Sequence, residues 1–183
     1  MTRRELQERP WSVPMPITEV PETGRQVDLE PDTATREALA RMAGLVALPR
    51  LRAVFDLARH GSGGLRVVGR VSATVEQACV VSLDPVFNEI EEAVDLVFSP
   101  AITADAAGRQ VAIQNIDAEE PPEALQDGIV DLGVVATEFL ILGIDPYPRK
   151  PGAVFAAPQA DEPVAHPFAA LAALKKGHGG RDV

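Results

Sequence analysis

Tyr147, Arg149 and Lys150 lie within one short run, Asp145-Pro-Tyr-Pro-Arg-Lys-Pro-Gly152, that contains the chain's only tyrosine and three prolines. Proline fixes φ, so the run is a stiff loop in which an aromatic ring stands beside two adjacent cations. That combination suits single-stranded RNA: Tyr147 can stack on an unpaired base while Arg149 and Lys150 meet phosphate. A structural reading stays open beside it. The prolines can simply end a preceding helix, Tyr147 can cover the core, and the cations can offset the helix C-terminal dipole.

Cys79, in Gln77-Ala-Cys-Val-Val-Ser-Leu-Asp-Pro85, is the single cysteine of the chain. One thiol forms no internal disulfide, and with Ser82 as its nearest polar neighbour it falls short of the N and S donors a structural zinc requires. No neighbour in the local sequence activates it as a nucleophile, so it reads as a small buried group at a strand start. His60, His166 and His178 fall in glycine- or proline-rich stretches and form no ligand set. Gly61-Ser-Gly-Gly64 lacks the Lys-Ser/Thr pair of a phosphate-binding loop and reads as a turn. Glu91-Glu92 and Glu119-Glu120 read as solvated acidic faces rather than as acid–base pairs. No catalytic residue, cofactor or metal site is expected.

Near the C-terminus, Phe168, Leu171 and Leu174 recur at helical spacing in Phe168-Ala-Ala-Leu-Ala-Ala-Leu-Lys-Lys176. Such a tethered amphipathic peptide either docks in a partner's groove, through Phe168 and Leu171 first, or folds back on its own domain.

The elements that must position these groups are written in the hydrophobic pattern. Asp32 or Thr33 caps a first helix that ends at Gly44, with Leu39, Met42 and Ala43 on its buried face. Leu51, Ala53, Phe55 and Leu57, then Leu65 to Val75, alternate with polar residues around the turn at His60 to Gly64, which predicts a long hairpin. A third strand follows Asp84-Pro85, from Val86 to Phe98. Asp131 caps a second helix through Leu142, with Leu132, Val135, Phe139 and Leu142 facing inward and Ala136, Leu140 and Gly143 widening the stripe. Before Asp32, alternation from Trp11 to Ile17 hints at one strand among five prolines. Residues 99–122 read mostly as loop, with Val111 to Ile113 as a candidate edge strand. The expected fold class is α+β: an antiparallel curved sheet or incomplete β-barrel, two or three packed helices, and a flexible C-terminal tail. The expected boundaries are an N-terminal extended segment at 1–30, one core domain at 31–152, and a linker with a short amphipathic helix at 153–183.

Charge narrows the partners. The chain of 183 residues carries a formal net charge of −10, and residues 28–145 hold twenty acidic groups against eight basic ones. From Gln110 to Pro148 there are eight acidic residues and no Lys or Arg. Nucleic-acid coating depends on phosphate neutralisation by cations, so any RNA contact must be local and DNA is not an expected partner. An acidic surface equally suits a basic protein. The first ten residues lack a signal-type apolar core, and no window reaches the ~18 apolar residues of a membrane span. A cytoplasmic protein without membrane contact is expected.

The motifs at 77–85, 131–152 and 167–176, in that order, resemble the YceD-type large ribosomal RNA subunit accumulation proteins in their alphaproteobacterial form. Many of those proteins carry Cys-x-x-Cys where this chain has Cys79-Val-Val-Ser82, a departure that argues against metal here. The resemblance implies a cytoplasmic role in synthesis, processing or stability of 23S ribosomal RNA, and it implies no catalytic residue. The expected partner is a pre-ribosomal particle, met through its large-subunit RNA, a ribosomal protein, or both. The alternative is an acidic chaperone that binds a basic ribosomal protein.

Overall fold

The computed structural model describes residues 9–100, 123–125 and 127–155. Among the described residues, seven strands and two helices follow in the order β1 (Pro14–Pro16), β2 (Arg25–Leu29), α1 (Thr33–Ala43), β3 (Ala47–His60), β4 (Gly64–Ala78), β5 (Pro85–Pro100), β6 (Glu123–Leu125), β7 (Ile129–Asp131) and α2 (Leu132–Leu142), with one 3-10 turn at Ile17–Glu19. Five strands form one sheet in the order β2-β3-β4-β5-β6, and β1 pairs with β7 as a separate two-stranded ribbon. Every pairing is antiparallel except β5 with β6. The sheet is curved and does not close, so the architecture is the α+β class expected.

Alternation decides which face is buried. Leu51, Ala53, Phe55 and Leu57 of β3, Leu65, Val67, Val71, Ala73 and Val75 of β4, and Ile90, Val94 and Phe98 of β5 form the apolar inner face. The β4–β5 register holds without a shift from Ala78↔Pro85 to Leu65↔Phe98, so one inward set keeps facing the other along the whole pair. Gly69, opposite Phe55 and Val94, breaks the apolar set because a Cβ there would meet the Phe55 ring at 2.9 Å. Leu39 and Ala40 of α1 and Leu132, Val135, Ala136 and Leu140 of α2 join the inner residues in one cluster. Each fully buried Leu in that cluster is worth roughly 1.5–3 kcal/mol of burial.

Both helices begin and end where their caps dictate. The Asp32 carboxylate accepts from the Thr35 amide and Gly44 closes α1 at φ 68°. The Asp131 carboxylate accepts from the Gly133 and Val134 amides to start α2. Two inward assignments are corrected. Met42 is 40% exposed and Leu142 74% exposed, because the buried stripes run through Leu39–Ala40–Ala43 and Leu132–Ala136–Leu140. A residue two positions beyond Leu140 lies about 200° around the helix and must face out. Gly143 continues the buried stripe, and a Cβ there would collide with Ile90 of β5.

The N-terminal residues do more than the sequence pattern indicated. Trp11, Met15 and Val20 are buried, β1 is only three residues long before the 3-10 turn, and β2 adds a strand beside β3. Asp131 ties this segment to α2: its carboxylate accepts from Ser12 Oγ at 2.6 Å and Val13 N at 2.8 Å. The expected strand at Val111 to Ile113 and the C-terminal Phe168 and Leu171 lie outside the described residues.

Candidate functional site

Two loops distant in sequence meet at the end of the sheet where β4 gives way to β5. The first is the turn from Cys79 to Asp84. Cys79 N donates to Asp84 O at 2.8 Å and Leu83 N to Cys79 O at 2.9 Å, which closes the turn. The amides of Val81 and Ser82 both point at Cys79 Sγ at 3.4 Å. The second loop is the proline-punctuated run after α2, where Tyr147 N donates to Asp145 Oδ1 at 2.9 Å in an Asx turn.

Four hydrogen bonds join the second loop to the first and to the end of β4. Gln77 Nε2 donates to Asp145 O at 2.8 Å, Val80 N to Pro148 O at 2.9 Å, Lys150 N to Cys79 Sγ at 3.4 Å, and Lys150 Nζ to Asp84 Oδ2 at 3.0 Å. Asn88 Nδ2 fixes the Gln77 amide from β5 at 3.0 Å. Gln77, Cys79 and Pro148 are buried beneath this seam.

The electrostatics follow from those bonds. The Lys150 amide first, then the hydroxyl and amide of Ser82 and the amide of Val81, lower the Cys79 thiol to about 6 against the opposing effect of burial. These donors favour the ionised form of the sulphur, although the residue is wholly buried. A shielded sulphur facing three amide donors acts as a hydrogen-bond acceptor that fastens one loop to the other; a nucleophile needs access. The Lys150 ammonium and the Ser82 hydroxyl hold Asp84 below the usual carboxylate range. Among the described residues no group of three or more His, Cys, Asp and Glu side chains is placed to hold a metal ion.

The structure divides the proline-loop residues by role. Tyr147 is 74% exposed, and Arg149 is exposed and makes no ion pair with the described residues. Lys150 is exposed as well, but its ammonium is committed to Asp84. Sequence reasoning missed Val80, Leu83 and Asp84 as members of this site, because the Lys150–Asp84 contact spans 66 positions. Leu83 is 78% exposed at φ 62°, and Val80 is 48% exposed.

Away from this end, the outer face of the sheet carries a ladder of exposed ion pairs: Arg52 with Asp28 and Glu30, Arg50 with Glu89, Arg66 with Asp95, and Arg70 with Glu91. Exposed pairs are screened by water and add little to stability, so the ladder matters mainly by neutralising those arginines. His60 is exposed at the end of β3, paired with Gly64 across the turn rather than within it. His166, His178 and the Glu119-Glu120 pair lie outside the described residues.

Residues 67–175 match the family described as Large ribosomal RNA subunit accumulation protein YceD, more than half of the chain. The chain belongs to the YceD family. The matched span contains both loops of the site, from Cys79 to Lys150, and most of the β4–β5 pair. No curated protein and no solved structure matches this YceD-family chain. The family description ties it to accumulation of large-subunit ribosomal RNA. No helix among the described residues is long and apolar enough to cross a membrane.

Proposed function

We propose that this YceD-family protein supports synthesis, processing or stability of 23S ribosomal RNA as a non-catalytic factor. It docks on a large-subunit assembly intermediate through the loop of Tyr147, Arg149 and Lys150. The observation that carries the reading is the pairing of rigidity with exposure: buried Pro148 and the Gln77, Val80 and Lys150 bonds hold the loop, while Tyr147 stands 74% exposed above it. A preorganised aromatic with a neighbouring guanidinium loses little freedom on binding. Bacterial large subunits are assembled in the cytoplasm, where this reading places the protein. Lys150 positions the loop through Asp84, and Arg149 is the cation left to meet the partner.

The test is co-sedimentation of the full chain with large-subunit precursor particles. The double variant Tyr147→Ala, Arg149→Ala is expected to lose association by about tenfold or more, from the removal of one stacking or anchor group and one charge contact, with its melting temperature unchanged. Association equal to the wild type overturns the reading.

A second reading is an acidic chaperone for a basic ribosomal protein. The formal charge of −10 and the neutralised outer-face arginines favour it. Crosslinking separates the two: RNA adducts at Tyr147 or Arg149 support direct RNA contact, and adducts confined to a ribosomal protein support chaperoning.

A further inference from the structure

Leu83 breaks two rules at once. It holds a left-handed backbone at φ 62°, a region that bulky L residues avoid, and it leaves its isobutyl group 78% exposed. The other described non-glycine residue with positive φ is Asp127, a residue type that tolerates this region. Glycine or asparagine would make the 79–84 turn with less strain and no apolar exposure. A strained residue persists only where its surroundings over-determine it, and here they do. The turn is fixed by Leu83 N to Cys79 O, by Cys79 N to Asp84 O, by two amides on Cys79 Sγ, and by Lys150 on Asp84.

The neighbours extend the same surface. The Val80 amide bonds the carbonyl of Pro148, directly beside Tyr147, so three exposed apolar side chains, Val80, Leu83 and Tyr147, flank the seam between the two loops. The Lys150 ammonium at this seam is neutralised by Asp84, which leaves Arg149 as the one cation of the loop without an ion pair among the described residues and so limits any attraction for phosphate. The net charge of −10 draws a cationic partner instead. We propose that Leu83 is a preorganised apolar anchor that enters a pocket on a basic protein of the assembly intermediate, with Val80 and Tyr147 packing around it. This rests on the reading that this end of the molecule docks, and it commits that docking to protein rather than RNA.

The experiment titrates the labelled full chain with individually purified large-subunit ribosomal proteins and with a 23S ribosomal RNA transcript. The panel is wild type, Leu83→Gly, Leu83→Met and the Tyr147→Ala, Arg149→Ala double variant. Leu83→Gly relieves the strained backbone while removing the anchor, so its melting temperature is expected to stay level or rise as binding to a basic ribosomal protein weakens about 10- to 100-fold. Leu83→Met, which keeps an apolar group of similar size, is expected to retain most of the binding. Leu83→Gly binding as tightly as the wild type overturns the proposal, as does binding confined to the RNA transcript. So does a lowered melting temperature with binding intact, which marks Leu83 as a folding residue. Co-sedimentation of the same panel with precursor particles separates the levels. Particle binding lost only in the double variant removes the anchor and leaves the docking reading standing; binding lost in neither removes both.

Discussion

Three amides converge on Cys79 Sγ, and one of them comes from Lys150, 71 positions away. The consequence is a pH dependence of a definite sign. The thiol ionises at about 6 in the folded chain against an ordinary value of 9.0, so between those values the folded state binds fewer protons than the unfolded one. Stability from this group is therefore full above about pH 9 and fades as pH falls through about 6. Urea unfolding of the wild type and of Cys79→Ala is expected to show a gap that is wide at about pH 9 and narrows toward about pH 5; a gap independent of pH contradicts the thiolate assignment. The cysteine's burial could be read from Val80 and Val81 beside it, whereas its polarised state could not, because no local residue signals the Lys150 amide. The same distance hid Asp84, and with it the division of labour by which Lys150 braces the loop while Arg149 faces outward.

At the level of elements, Asp131 joins α2 to the N-terminal segment. Its carboxylate caps α2 through Gly133 and Val134 and also holds Ser12 and Val13, so Asp131→Ala removes a cap and a tether together. The expected loss is about 1–3 kcal/mol, read from urea denaturation, with Asp131→Asn recovering part of it. Gly143→Ala drives a methyl into Ile90 and is expected to cost about 1–3 kcal/mol and to loosen the proline loop that follows α2. The helix ends were legible because Asp32, Gly44 and Asp131 are cap residues with a local mechanism. The hairpin of β3 and β4 and the strand β5 were legible because period-two alternation over some fifteen residues has no competing reading. β2 was hidden between Pro21 and Pro31, although Val27 and Leu29 alternate with polar neighbours. β1, β6 and β7, at three residues each, are too short for any period to register. The parallel pairing of β6 with β5 also leaves no local trace in the sequence.

For the molecule as a whole, charge is the dominant long-range property. An acidic body meeting a basic protein is steered electrostatically, so the association rate is expected to fall about tenfold or more between low and high salt while dissociation changes little. Direct RNA contact through Arg149 alone gives instead a shallow affinity slope of roughly −0.7 in log K against log salt. Stopped-flow mixing across a salt series reads both. One more property follows from the ribbon of β1 and β7, which joins Met15 to Val130. During translation, β1 has no mate until residues 129–131 have also left the exit tunnel. The single indole, Trp11, is buried in the folded chain, so its emission is expected to shift to the blue only in nascent chains long enough to include β7.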